Sequence, residues 1–166
     1  MARVKPIGLM TALALTAVAV FTLSRVASSA DTPSPFVGTW VLNVAKSTFD
    51  PPPPLKSNTS TTTEVSGGGF HTVIDVVEGD GSTNHMEYTI PPGGGKVVPV
   101  TGSAYADSIM LTQVGSRTIK YALMKAGKTI ETGTLTVSKS GKTMQGPLSG
   151  TFQNAHWKDH FVYERQ

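Results

Sequence analysis

The feature that most constrains this chain is a cadence. From Phe36 onward, β-forming stretches recur at about the 8–12-residue spacing of all-β sandwiches and barrels, broken by Gly- and Pro-containing turns. No window of about 11 or more residues carries the apolar stripe of an amphipathic helix. The pattern predicts strands over residues 38–46, 58–65, 70–77, 83–90, 96–100, 107–114, 117–125, 128–138, 143–152 and 155–165. Gly115-Ser116 between two of them is a two-residue hairpin signal. Asp50-Pro51-Pro52-Pro53-Pro54 is expected to cross in extended form, because proline lacks an N–H and fixes φ. A parallel crossover needs a dozen or more residues, and these connections are shorter. The expected fold class is therefore all-β, a single antiparallel up-and-down barrel of about 8–10 strands.

Side chains on a strand alternate between two faces, so the sequence also predicts an interior. On residues 155–165, Trp157, Phe161 and Tyr163 share a face with Asp159, while His156, Lys158, His160 and Val162 share the other. The aromatic face is the better core candidate. An aromatic last strand beside a first strand carrying Trp40 suits barrel closure, which removes exposed edges. Trp40 is expected to plug one end.

The N-terminus reads as an export segment. Arg3 and Lys5 precede an apolar run over residues 7–23, and Ala27-Ser28-Ser29-Ala30 offers the small residues of a cleavage site. The predicted organisation is a signal peptide over 1–30, a short leader over 31–35 and one domain over 36–166, placed in the periplasm or secreted. The apolar run falls a little short of a span of roughly 20 residues, although an uncleaved anchor is the other reading. Three of the 14 basic residues, Arg3, Lys5 and Arg25, fall in this segment and none of the 11 acidic ones do. That leaves 11 of each sign, so nucleic-acid binding through a basic field loses its basis. With no cysteine, neither disulfides nor thiol chemistry is available. No cofactor is indicated, and the oligomeric state stays open.

Phe36-Val37-Gly38-Thr39-Trp40 followed by a strand resembles the start of the calycins, the lipocalins and fatty-acid-binding proteins. Val162-Tyr163-Glu164-Arg165 resembles the closing strand of the latter group. Gly38-Thr39-Trp40-x-Leu42-Asn43-x-Ala45-Lys46-Ser47-x-Phe49, then Pro99-Val100-Thr101-Gly102 through Ala106-Asp107, then Arg117-Thr118, together resemble short exported bacterial lipocalin-like proteins of unknown function. The resemblance implies a calycin-like barrel that binds a small molecule. Fatty-acid-binding proteins hold a carboxylate with an Arg-x-Tyr pair on the last strand. Here those positions read Phe161-Val162-Tyr163, so the tyrosine is kept and the cation is missing. A helical lid is replaced by the four prolines. The expected ligand is apolar or amphipathic, with Tyr163, Phe161, Tyr121, Met110 and Trp40 as candidate contacts. A barrel filled by its own side chains, with a structural or envelope role, is the alternative.

Candidates for chemistry are few. His71, Asp75 and His85 fall on adjacent predicted strands and are the one set suited to acid–base or metal chemistry. His156 and His160 on one strand would stand about 13 Å apart at roughly 3.3 Å per residue, too far to share a metal held about 2 Å from each nitrogen. Ser103 with Tyr105 and Asp107, and Ser149 between its neighbours, show no nucleophile-elbow pattern. No catalytic residue is assigned.

Overall fold

The computed structural model describes residues 33–152 and 155–166. The predicted signal peptide, its cleavage site after Ala30, and Asp31 and Thr32 of the leader lie outside the described residues. Among those described, eleven strands form one antiparallel sheet: β1 Gly38–Leu42, β2 Thr48–Asp50, β3 Ser57–Val65, β4 Gly69–Val77, β5 Thr83–Ile90, β6 Val97–Pro99, β7 Ser108–Gly115, β8 Thr118–Lys125, β9 Lys128–Val137, β10 Thr143–Phe152 and β11 Ala155–Arg165. Neighbours run β5-β4-β3-β1-β11-β10-β9-β8-β7-β6, with β2 also on β11. No helix of the described residues is long and apolar enough to cross a membrane.

The sheet curls until its edges meet. Beyond β6, Thr101 pairs with Glu87 of β5, each backbone N–H donating to the other's carbonyl at 2.9 and 3.0 Å. The antiparallel up-and-down barrel expected from the turn cadence is therefore nearly closed. One expected boundary was wrong. The first strand ends at Leu42 rather than residue 46, because the Asn43 side chain accepts a hydrogen bond from Lys46 N at 3.1 Å and starts a 3₁₀ turn over Val44–Lys46. After this corner the chain returns to the same neighbour as β2, pairing Asp50 with Lys158 and Thr48 with His160. The prolines then lead across to β3 without pairing.

Trp40 is 1% exposed and is held both at its ring nitrogen and at its ring face. Its indole Nε1 donates to Phe36 O at 2.9 Å, and the Arg165 guanidinium lies 4.2 Å from the ring centroid. A partly buried cation over an indole contributes about 0.5–2 kcal/mol. Arg165 Nε donates to Gly141 O at 2.7 Å, and its terminal nitrogens donate to Val37 O and Pro35 O. Gly38 is required here. Its φ is +123°, and a Cβ would lie 2.7 Å from Arg165 Nη1. The Gly-x-Trp motif thus provides a ring to be covered and the space for the cation that covers it.

Two buried clusters line the inner wall. One surrounds Trp40, Leu42, Val137, Leu148 and Phe161, and the other surrounds Met86, Ile90, Ala106, Ile109 and Leu123. Tyr121 packs against both.

Replacing Trp40 by Ala should cost about 3–5 kcal/mol of unfolding free energy. Arg165→Met, which keeps the stem and loses the donors, should cost about 1–3 kcal/mol. Urea titration checks both, and an Arg165→Met chain as stable as the parent would show that the cation does not hold this end.

Candidate functional site

The barrel encloses a cavity of about 1040 Å³, the upper end of the roughly 300–1,000 Å³ range for small-molecule pockets. Inward-facing aliphatic and aromatic side chains, among them Ile74, Met86, Leu123, Leu148 and Phe161, make up much of its wall. Its polar members include Glu131, Asn58 and the phenols of Tyr88, Tyr105, Tyr121 and Tyr163, the charged or titratable Glu78, Asp80, Asp159 and His156, and hydroxyl groups such as those of Ser60, Thr62 and Thr72. No lysine or arginine lines it among the described residues.

Glu131 is the centre of this polar set. Strand alternation puts it on the inward face of β9 with Gly133, Leu135 and Val137, opposite buried Leu123 of β8. Just before it the β8–β9 pairing shifts, from Leu123–Glu131 to Met124–Thr129, so Ile130 is the extra residue of a bulge. Pairing also aligns Glu131 with Gly150 and Gly150 with Trp157. Since Trp40 pairs with Arg165 at the far end of β11, Glu131 stands toward the end of the barrel away from Trp40.

Two phenols grip the carboxylate. Tyr121 Oη donates to Glu131 Oε1 at 2.6 Å, and Tyr105 Oη donates to Oε2 at 3.2 Å. Tyr121 reaches this position because β9 has no side chain at 133; a Cβ on Gly133 would lie 2.7 Å from the Tyr121 hydroxyl. Tyr105 comes from the β6–β7 connection, whose turn Ser103 shapes by accepting from Tyr105 N at 3.1 Å and Ala106 N at 3.2 Å while donating to Asn84 Oδ1 at 2.9 Å. Ser103 is thus a turn former. Asp107 accepts from Ala126 N at 2.7 Å and steadies the β8–β9 hairpin, which holds its carboxyl below the usual range.

Burial raises the Glu131 carboxyl to about 7. The two phenol donors oppose that rise, and Asp159 and Glu78 add to it. The phenols are displaced too. Burial pushes Tyr88 up to about 12 and carries Tyr121, Tyr105 and Tyr163 well above their ordinary value, with Glu131 adding to each shift. They stay protonated and remain donors. Burial also raises Glu78 and Asp159.

Of the residues expected to contact a ligand, Tyr163, Phe161, Tyr121 and Trp40 line the cavity. Met110 does not. It is 39% exposed and faces outward, while its neighbours Ile109 and Leu111 face in. Its phase was assigned one residue out, on a strand where Ile109, Met110 and Leu111 are all apolar. His71, Asp75 and His85 do come together, but on the outer face of β4 and β5. His85 lies 2.6 Å from Asp75 and 2.9 Å from Glu87, and His71 bonds Thr89 at 3.2 Å. The Asp75 and Glu87 hydrogen bonds raise His85 above its ordinary value. This set serves the outer surface and not an enclosed site. Ser149 falls on the outward phase of β10, between inward Leu148 and Gly150. Glu131, Asn58 and Tyr105 were missed. The phase of Glu131 with Leu135 and Val137 was the available signal.

No protein-family model matches the chain, and no curated protein sequence does. Among solved structures, zebrafish ileal bile acid-binding protein complexed with cholic acid is similar with a TM-score of 0.46 and 8% identity, over 80% of this chain and all of that one. The siderocalin Ex-FABP is similar with a TM-score of 0.31 and 10% identity, over 80% of this chain and 75% of that one. At these identities no side chain of the site transfers from either.

The raised Glu131 carboxyl has a consequence for stability. Its folded value exceeds its ordinary 4.5, so the folded chain binds the extra proton and loses stability as pH rises through the window from about 4.5 to 7. At 1.36 kcal/mol per pKa unit the loss is at most about 3 kcal/mol. Glu131→Gln should remove it. Subtracting the variant's stability from the parent's at each pH isolates this group from Glu78, Asp159 and His85, and a flat difference between pH 5 and 8 would refute the assignment.

Proposed function

We propose that this chain is an exported carrier that reversibly binds one small apolar or amphipathic molecule inside its barrel, without transforming it. The observation that supports this reading most is the cavity. A deep, largely apolar space with a few convergent polar groups is the usual form of a small-molecule site, whereas a barrel with a purely structural role would fill its interior with side chains. The basic, apolar and small-residue order of residues 1–30 supports export. The His–Asp pair most suited to chemistry stands outside the barrel wall, which favours binding over catalysis.

Native mass spectrometry of protein purified after export from its own host should show a polypeptide beginning at Asp31 with a dissociable small-molecule adduct. Protein stripped of the adduct should take up the neutral dye N-phenyl-1-naphthylamine with a rise in fluorescence. Ser60 lines the cavity and pairs with Trp40, so Ser60→Phe, which fills the space, should lower dye affinity by about tenfold or more, the scale of one or two kcal/mol. Bare chain in every preparation together with no dye uptake would overturn ligand carriage. A mass beginning at Met1 would overturn cleavage.

A further inference from the structure

We infer that the molecule held in this cavity is an organic cation, with an apolar body in the barrel and a protonated amine against Glu131. The inference rests on the carrier reading above and narrows it to a chemical class.

Two independent observations point the same way. The first is the charge of the lining. Glu131, Glu78, Asp80 and Asp159 all face the cavity, no lysine or arginine does, and His156 is the one residue that could carry positive charge among the described lining. Glu131 lies deepest of the four, Glu78 and Asp159 are half-buried and Asp80 is exposed, so an anionic ligand would meet net repulsion that is strongest beside Glu131. The second is an acceptor with nothing to accept. Asn58 Oδ1 is buried without a hydrogen-bond donor among the described residues, on a side chain that is 6% exposed and lines the same cavity. A buried acceptor left unpaired costs about 1–3 kcal/mol, and a ligand that donates would relieve that cost. The interior therefore offers unfilled acceptor capacity at two places, Glu131 and Asn58, which a donating ligand would meet.

The phenols tune the carboxylate without satisfying it. Tyr121 and Tyr105 each occupy one oxygen, and a carboxylate has about four lone-pair sites. The remaining capacity suits an ammonium, which brings three donors and one positive charge. The groups facing Glu131 are the phenols of Tyr121, Tyr105, Tyr163 and Tyr88 and the carboxyls of Asp159 and Glu78. None of them supplies a compensating positive charge. A bound ammonium would, and its arrival should expel whatever proton Glu131 holds near neutral pH.

Three probes of one chain length test this: n-decylamine, n-decanol and decanoate, titrated calorimetrically into ligand-free protein below the concentrations at which they aggregate. At pH 8 the amine should bind at least tenfold tighter than the alcohol, and decanoate weakest. Lowering the pH to 5.5, where Glu131 is protonated and the alkylammonium is still charged, should weaken the amine at least tenfold and leave the alcohol unchanged. Near pH 7, amine binding should release a proton, seen as a dependence of the heat on buffer ionisation enthalpy. Glu131→Gln should abolish the proton release and bring decylamine down to the affinity of decanol for the same variant; if that variant does not fold, the pH series on the unaltered protein decides. Decanol or decanoate binding as tightly as the amine would overturn the cation class and leave the carrier reading standing. Failure of all three probes to bind would overturn both.

Discussion

Everything in this barrel depends on how its first strand meets its last. β1 and β11 are adjacent in the sheet although they lie at opposite ends of the chain, and Arg165 over Trp40 fixes their register. The same guanidinium collects the carbonyls of Gly141, Val37 and Pro35, so one cation ties the approach to β1, the turn before β10 and the end of β11. Even a partly buried arginine needs its donors satisfied. Here they meet backbone carbonyls and an aromatic face. Without a disulfide to close the chain, this latch and the Glu87–Thr101 pair across the other seam turn a sheet into a container.

A container of this size has to reconcile an apolar wall with the polar groups its contents need. The chain gathers its acidity instead of scattering it. Glu131 is placed by a bulge and gripped by phenols from β8 and from the β6–β7 connection. Asp159 and Glu78 are close enough to raise it further. The result is an interior rich in acceptors, in which Tyr121 and Tyr105 already commit their donors to Glu131.

Much of this was legible in the sequence and some was not, for physical reasons. The strand cadence showed clearly because most glycine and proline clusters fall between strands, Gly146-Pro147 inside β10 being the exception, and Trp40 declared itself because Gly38 stands two residues before it. The end of β1 was hidden because Asn43 looks like one more alternating position until its side chain caps the next turn. Met110 was misplaced because alternation has no contrast in a run of three apolar residues. Glu131 was missed because Ile130 beside it looks like the inward residue. The shift in pairing with β8 makes Ile130 the extra residue and leaves Glu131 in phase with Leu135 and Val137. The outer histidines converge as their strand positions suggested, yet which side of a sheet they occupy depends on the whole barrel.

The glycine at 133 also bears on when the site becomes ordered. Tyr121 lies against bare backbone where any other residue would push it away, so its ring loses rotational freedom as the sheet forms. Gly150 receives the Trp157 ring in a similar way, with a Cβ there placed 2.6 Å from the indole. Side chains fixed during folding have little entropy left to lose when a guest enters. Shape selectivity in such a barrel belongs to the empty protein: a side chain at 133 would displace the Tyr121 ring, whereas one at 150 would also meet the Ile130 carbonyl, 2.5 Å from its Cβ.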